Sequence, residues 1–387
     1  MKHIAVFSSS RSDWGILEIL VREMRETSDI KTSVIATGSH FDARFGVTID
    51  AMSTEHSNLL IRLDAGPVGN TPEEAAAMAG RVTELVGKWL GESTPDAVLV
   101  LGDRFEALAC GLAAALHNIP IVHLHGGEVT TGAIDDAVRH ALSKLARVHF
   151  PVHEDYARRL LQMGEAPDSV IVTGSLAVEG LERGTLLSRA ELESQLAAEL
   201  PEPFIVCAIH PVTTSPDEVG AVLDSLERVI HEQSGIRVIL TAPAPDPGFE
   251  KIEQRFEQWC SRRPDLFSYH ASLGSRRFLS LVAHSQGLVG NSSSGLLEIP
   301  SLGVPTLNIG SRQEGRIRAS SIIDVEPSVS AVSEGLARML SIEFHAVAQD
   351  TVNPIAGERP SHAIIEVIQA CDLSGMGPKL FRDLELT

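Results

Sequence analysis

Positive charge is scarce in this 387-residue chain: 32 Lys and Arg stand against 51 Asp and Glu, a formal net charge of −19. Proteins that grip a phosphate backbone show clustered Lys and Arg, so nucleic acid is excluded as a partner, whereas a small anionic ligand held by a few local donors is not. Long apolar runs are missing too. No stretch reaches the roughly 20 apolar residues that a membrane-spanning helix needs, so no membrane association is expected. Met1-Lys2-His3-Ile4 runs straight into a strand without a signal-peptide pattern, and a cytoplasmic protein is expected. Cys110, Cys207, Cys260 and Cys371 lie scattered without CxxC spacing, which argues for free structural thiols rather than metal or redox work. The first strand is not followed by GxGxxG, so no nicotinamide dinucleotide is expected there, and no low-complexity tract signals disorder.

What is present reads as a globular α/β protein. The chain exceeds the roughly 250–300 residues at which single cores stop growing, so two domains are expected. Strand-like runs at His3–Ser8, Lys31–Gly38, Asp96–Leu101, Ile119–Leu124, Val148–Phe150 and Val170–Val172 alternate with helical segments. Those segments include one from Trp14, Thr71–Leu90, Arg104–Leu116, Asp135–Ala146 and Glu154–Met163. A helical, charged stretch from Leu181 to Pro203 leads to a second series: strands Phe204–Ile209, Arg237–Leu240, Gly287–Val289 and Thr306–Ile309, and helices after Pro216, over Phe249–Cys260 and Arg276–His284, and from Ser293. The predicted fold is two Rossmann-like doubly wound domains facing a cleft, over residues 1–177 and 178–365. A terminal segment, 366–387, follows the start of a helix at Pro360–Cys371 and is expected to cross back to the first domain.

Two strands end in a crowd of ionisable groups, where open α/β sheets place their ligands. After Leu99-Val100-Leu101-Gly102 come Asp103 and Arg104; after Ile121-Val122-His123-Leu124 come His125, Glu128, Asp135 and Asp136. Asp103 can act as acid or base, or cap the following helix. Titratable groups meeting at one place push their pKa values apart, which supplies an acid and a base near neutral pH. A shared metal on His123 and His125 would need a further converging ligand and is not the expected use. Arg139 and His140 read as loop-positioning groups. Arg11, in the turn after the first strand, is a candidate anion ligand. In the second half, His210 ends a strand in the polar loop Pro211-Val212-Thr213-Thr214, within reach of a diphosphate or leaving group. Ser292, Ser293 and Ser294 open a helix and offer donors to a phosphate with the helix dipole behind them. Glu298, further along, can take both hydroxyls of a ribose, and Arg312 follows the strand Thr306–Ile309.

The stretches SSSRSDWG, GDRFEAL, HGGE with GAIDDAVRHALSKLA, HPVTT, VGNSSSGLLE and NIGSRQ, in this order and spacing, resemble the hydrolysing UDP-N-acetylglucosamine 2-epimerases of sialic acid biosynthesis. The resemblance extends over nearly the whole chain. It implies a GT-B-like fold, a nucleotide bound mainly by the second domain, a homodimer or higher homo-oligomer, and chemistry without NAD or any other cofactor. A base removes the C2 proton while the nucleoside diphosphate leaves C1; water then adds to the 2-acetamidoglycal. The resemblance implies that Asp103 and Asp135 belong to the catalytic set and that His210 lies near the diphosphate. It implies that Ser292, Ser293 and Glu298 contact phosphate and ribose, and that Arg11, Arg104 and Arg312 are basic substrate-site positions. Well-characterised members carry Glu where this chain has His125, so His125 or Glu128 takes over proton transfer here. Ala244 stands where the animal enzyme has Asn. These departures leave room for UDP-N,N′-diacetylbacillosamine, the substrate of the related legionaminic acid enzymes, or for GDP in place of UDP. The alternatives are a non-hydrolysing epimerase, a GT-B glycosyltransferase with a second acceptor, and a silent nucleotide-sugar sensor.

Overall fold

The structure, a computed structural model, describes residues 1–184, 186–232, 235–271, 273–376 and 379–383. They form two compact units: Met1–Val129 with Asp135–Gly180 and the described residues from Ile355 onward, and Leu181–Pro354 with Thr130–Ile134.

The first unit is built on strands that are apolar on both faces. Ile4, Ala5, Val6 and Phe7 are at most 2% exposed, as are Val98, Leu99 and Val100; such runs are stable only where helices cover both sides of a parallel sheet. Six strands, β1 (Lys2–Ser8), β2 (Ile30–Ala36), β3 (Leu60–Arg62), β4 (Ala97–Leu101), β5 (Ile121–Leu124) and β6 (Val148–Phe150), make that sheet in the order β3-β2-β1-β4-β5-β6. All pairings are parallel, with Val6 opposite Val34 on one side and Leu99 on the other. Helix Arg11–Glu26 buries Trp14, Leu17, Leu20, Val21 and Met24. Helix Pro72–Ser93 starts from a capping box of Thr71 and Glu74 and buries Met78, Val82, Val86 and Leu90, four apart on one face. The last helix, Pro360–Ala370, places Ile364, Ile365 and Ile368 in this unit's core, each worth about 1.5–3 kcal/mol when fully buried. Glu179 accepts from Ser361 N–H at 2.7 Å and anchors its start.

The second unit repeats the plan with β7 (Phe204–Ala208), β8 (Arg237–Thr241), β9 (Phe267–His270), β10 (Leu288–Gly290), β11 (Thr306–Ile309) and β12 (Ile322–Val325), in the order β12-β11-β10-β7-β8-β9. In each sheet the first and fourth strands of the series are neighbours and the chain winds outward both ways from them, so each has one switch point where the strand order reverses. These are β1/β4 and β7/β10.

Several expectations are corrected. Val170–Val172 is not a strand: only Val170 bridges to His149, because the stretch merely donates two bonds, Ile171 to the His149 carbonyl and Thr173 to that of Pro151. The stretch from Leu181 is not one helical run, since Ser188 opens a new helix, Arg189–Leu196, with its own capping box. The first helix begins at Arg11 rather than Trp14, because Ser10 caps it. The helix from Ser293 lasts only from Ser294 to Leu297 before Ile299 and Pro300 turn it into a 3₁₀ turn. Among the described residues, no helix is long and apolar enough to cross a membrane.

Candidate active site

The loops after β4 and β5 assemble a charged cluster in the first unit. Asp103 follows Gly102 directly at the end of β4 and leaves one fifth of its side chain exposed. Its carboxylate is paired with Arg139, which is wholly buried on the helix Asp135–Leu145. Arg139 also donates to the Glu128 carbonyl at 3.1 Å and lies 3.6 Å from Asp136. Burial alone pushes the guanidinium toward losing its proton, but the charges of Asp103, Glu128 and Asp135 outweigh it and hold the pKa above its usual value.

His125 adopts φ +62°. This left-handed conformation costs a non-glycine residue roughly 1–2 kcal/mol and persists only where the surroundings enforce it. Here the His125 N–H donates to the Phe150 carbonyl at 3.0 Å, and its ring Nδ1 lies 2.8 Å from Glu128 Oε1. The Glu128 carboxylate is acceptor-only, so Nδ1 carries a proton, and in the neutral form of the ring Nε2 offers a lone pair. That Nε2 is buried and has no hydrogen-bond partner among the described residues. A carboxylate on Nδ1 fixes the orientation of the ring, and Nε2 can serve as a base only where a substrate reaches it. Gly127 makes the turn possible: it sits at φ +79°, and a Cβ there would lie 2.3 Å from the Tyr156 carbonyl oxygen.

His123, which the sequence places beside His125, belongs to the scaffold. Its Nε2 donates to the Gly102 carbonyl at 2.8 Å and its Nδ1 lies 3.2 Å from Ser143 Oγ, so neither nitrogen is left to share a ligand with His125. Among the described residues no three His, Cys, Asp or Glu side chains converge as a metal site would require. Asp135 and Asp136 open the Asp135–Leu145 helix, where negative charge favours the helix N-terminus. His140 Nε2 lies 3.6 Å from Asp136. Arg104, at the helix start Phe105–Leu116, pairs with the fully buried Glu106 at 3.0 Å; burial raises the Glu106 pKa against the opposing pull of Arg104. Arg11 is half-buried in the first turn of its helix. The anion position expected there is partly filled by the protein itself, because Asp13 accepts from Ser9 N–H at 3.0 Å and Ser9 Oγ at 2.9 Å.

The second unit gathers its polar groups at the β7/β10 switch point. Gly290 ends β10 at φ +135°, where a Cβ would lie 2.1 Å from the Ala208 carbonyl oxygen, so only glycine lets β10 meet β7 there. Asn291 then clamps His210 from both sides: its Oδ1 accepts from His210 N–H at 2.7 Å and its Nδ2 donates to the His210 carbonyl at 3.0 Å. The backbone N–H of Ala244 donates to His210 Nδ1 at 2.8 Å, so the missing Asn side chain at that position is no obstacle to holding the ring. Nδ1 being an acceptor, the ring proton sits on Nε2, and His210 is a neutral hydrogen-bond donor. Burial pushes its pKa down to about 3, with Arg312 adding to the effect.

Arg312 itself is buried and donates to the Pro211 carbonyl at 3.0 Å and to the Asn291 carbonyl at 3.3 Å, with Asp246 3.7 Å away. Its guanidinium therefore ties the β11 loop to the His210 and Asn291 loops. Gln313 reinforces the same carbonyl at 2.9 Å, and Glu218 holds the β11 loop by accepting from Ser311 Oγ at 2.6 Å. Ser292 is buried, Ser293 and Glu298 half-buried. With a helix of only four residues behind them, donors for a phosphate come from the hydroxyls and local N–H groups, not from a helix dipole. Residues Thr130–Ile134, downstream of Glu128, pack within this unit: Ile134 N–H donates to Thr213 Oγ1 at 2.9 Å and Thr131 N–H to the Glu314 carbonyl at 3.1 Å. Asn291, Gln313 and Glu218 were not singled out from sequence; Asn291 was findable, as the polar residue that follows a strand-ending glycine.

Three histidines, two buried and His210 partly so, make a testable contribution to stability. Burial lowers His123 to about 3, against the pull of its bond to Gly102. It lowers His40 to about 4, with Asp13 opposing and Arg104 assisting, and His210 follows as above. In the unfolded chain each titrates near 6.5. Below that pH the unfolded state binds protons that the folded state refuses, so stability is full above about 6.5 and falls toward 4, by about 1.4 kcal/mol per pH unit for each fully titrating group. Thermal unfolding from pH 7.5 to 4.5 is expected to show a steadily falling Tm; a flat Tm across that window would contradict these assignments.

Comparisons with known proteins bear on this geometry. The family described as UDP-N-acetylglucosamine 2-epimerase matches residues 22–369. The polysialic acid biosynthesis protein P7 of Escherichia coli is 34% identical over 370 residues, 95% of this chain and 94% of that protein. The GDP/UDP-N,N′-diacetylbacillosamine 2-epimerase (hydrolyzing) of Campylobacter jejuni is 31% identical over 343 residues, 89% and 88% of the two chains. Among solved structures, the UDP-GlcNAc 2-epimerase from Neisseria meningitidis bound to UDP-GlcNAc superposes with a TM-score of 0.81 at 18% identity, covering 96% of this chain and all of that one.

Proposed function

Because this chain belongs to the UDP-N-acetylglucosamine 2-epimerase family, we propose that it is a hydrolysing nucleotide-sugar 2-epimerase, converting UDP-GlcNAc or a close UDP-sugar and water to UDP and a free ManNAc-type sugar. The observation that carries the reading is the ionisable cluster that the loops after β4 and β5 bring together, with Asp103 on Arg139 and His125 Nδ1 on the Glu128 carboxylate. His125 Nε2 takes the C2 proton, the C2–H electron pair forms the C1–C2 double bond, and the C1–O bond breaks with its electrons on the β-phosphate of UDP. A solvent-derived proton then adds to C2 from the opposite face while water's oxygen bonds C1 and loses one proton to solvent, and His125 returns the proton it took to solvent. His210, a neutral donor at Nε2, hydrogen-bonds the departing diphosphate without giving up its proton. Ser292 and Ser293 bind phosphate oxygens and Glu298 the ribose hydroxyls. Arg11 and Arg104 face the sugar and diphosphate, Asp135 supports the reacting end, and the protein works as a cytoplasmic homo-oligomer.

The likeness to the Campylobacter jejuni enzyme, over nearly nine tenths of each chain, favours a second substrate reading, a UDP- or GDP-linked diacetylated 2,4-diamino sugar. A product assay across UDP-GlcNAc, UDP-N,N′-diacetylbacillosamine and their GDP counterparts tests both. Free sugar and nucleoside diphosphate are expected from one of the four. A product still attached to its nucleotide would make the enzyme non-hydrolysing, and turnover only with an added acceptor would make it a glycosyltransferase. Glu298→Ala is expected to weaken UDP binding about tenfold, roughly the 1.4 kcal/mol of a charge-assisted hydrogen bond, with a smaller change in kcat. Calorimetry with UDP measures this; unchanged affinity would remove Glu298 from the ribose site.

A further inference from the structure

Arg139 has no solvent exposure, yet it sits among charges and spends its guanidinium on two different loops. One nitrogen, Nη2, donates to Asp103 after β4; the other, Nη1, donates to the Glu128 carbonyl after β5 at 3.1 Å. The titratable and charged groups facing it are Asp103, Glu128, Asp135, Asp136 and His140, with His123 on the strand side and Glu128 leading on to His125. A planar fork suits this geometry, since one rigid group can meet two acceptors in different directions, which a single ammonium cannot. The pairing also constrains the chemistry of Asp103. A carboxylate bonded to a buried, permanently charged guanidinium is a poor proton acceptor, because protonation would leave the cation buried beside a neutral partner. The His125 ring, by contrast, is engaged by a carboxylate at Nδ1, and its Nε2 has no hydrogen-bond partner among the described residues.

We propose that Arg139 is a positioning residue that keeps Asp103 a fixed anion, so that Asp103 stabilises the positive charge developing at C1 while the C2 proton passes to His125. The same guanidinium sets the Glu128 backbone, and through it the carboxylate that orients His125. This division of labour rests on the epimerase reading above. Asp103 is an electrostatic group throughout the cycle, and proton transfer belongs to the His125–Glu128 pair.

The test compares kcat, KM and the pH dependence of kcat for the full-length enzyme, Arg139→Gln and Arg139→Lys, with UDP affinity as the control for folding. Arg139→Gln is expected to lower kcat about 100-fold with little change in UDP affinity, and to add an acid limb to the kcat profile as Asp103 becomes able to take a proton. Arg139→Lys keeps the charge but loses the fork; kcat is expected to fall about tenfold with the wild-type profile intact. An unaltered profile in a folded Arg139→Gln enzyme would overturn the proposal, and so would wild-type kcat in Arg139→Lys. If Arg139→Gln fails to bind UDP, the lysine variant decides: reduced kcat at unchanged KM supports the proposal, undiminished kcat overturns it. Absence of C2 proton exchange in the unaltered protein would overturn the epimerase reading itself and the proposal with it.

Discussion

Replacing His125 with Asn is expected to lower kcat on the order of 10³-fold while leaving UDP affinity unchanged. Asn is the informative substitution because the position has φ +62°, and Asn enters the left-handed region more readily than other non-glycine residues. The backbone N–H bond to Phe150 is therefore kept, and what is lost is the ring with its uncommitted Nε2. Glu128→Gln is expected to cost a comparable factor. An amide that turns its NH₂ toward Nδ1 stabilises the opposite tautomer, putting the proton on the nitrogen that has to accept one. The pair of variants separates two mechanisms. If Glu128 were itself the base and His125 a spectator, the His125 variant would retain most of its activity while the Glu128 variant lost nearly all. Steady-state UDP release, measured with a coupled assay alongside UDP calorimetry, distinguishes these outcomes.

Asp103→Asn is the second large effect. The change removes one negative charge and preserves shape, leaving Arg139 buried with a neutral partner. Turnover is expected to fall about 10³-fold, since electrostatic groups aimed at developing charge are each worth about 10²–10³ in rate and the uncompensated cation adds to the loss. UDP affinity is expected to fall far less than turnover, because Ser292, Ser293 and Glu298, assigned to phosphate and ribose, belong to the second unit and are untouched by the change. Equal loss of UDP affinity in Asp103→Asn and Glu298→Ala would contradict that division.

Both expectations depend on features that sequence discloses unevenly. The sheets were legible because their strands carry continuous apolar runs, as in Ala97–Leu101, and because the flanking helices repeat apolar residues at helical spacing. Strands β3, β9 and β12 were not, since Leu-Ile-Arg, Phe-Ser-Tyr-His and Ile-Ile-Asp-Val are short and mix polar with apolar residues; their neighbours in the sheet, more than their own propensity, make them strands. Val170–Val172 failed in the opposite sense, having strand composition without a full set of bonding partners.

At the site, the residue types were readable and their pairings were not. Asp103 and Arg139 stand 36 positions apart, and His210 and Asn291 81 apart; such ladders form only once the parallel sheets bring loop ends together. Arg312 shows the consequence. Its place after a strand suggested a nucleotide ligand, yet its guanidinium is engaged by the carbonyls of Pro211 and Asn291. The choice between His125 and Glu128 was likewise open in the sequence HGGE; the proposal of His125 as the proton carrier rests on the Nδ1 contact, which makes Glu128 the group that holds the ring.

The central claim is that the protein breaks and remakes the C2–H bond while releasing the nucleotide. Incubation with UDP-GlcNAc, or with the diacetylated analogue if that is the sugar turned over, in deuterated water and analysis of the released sugar by NMR tests it directly. Free sugar of inverted C2 configuration carrying deuterium at C2 is predicted, with one deuterium per molecule released. Release of UDP with protium retained at C2 would contradict the account, since the nucleotide would then leave by simple hydrolysis and the His125–Glu128 pair would have no proton to move.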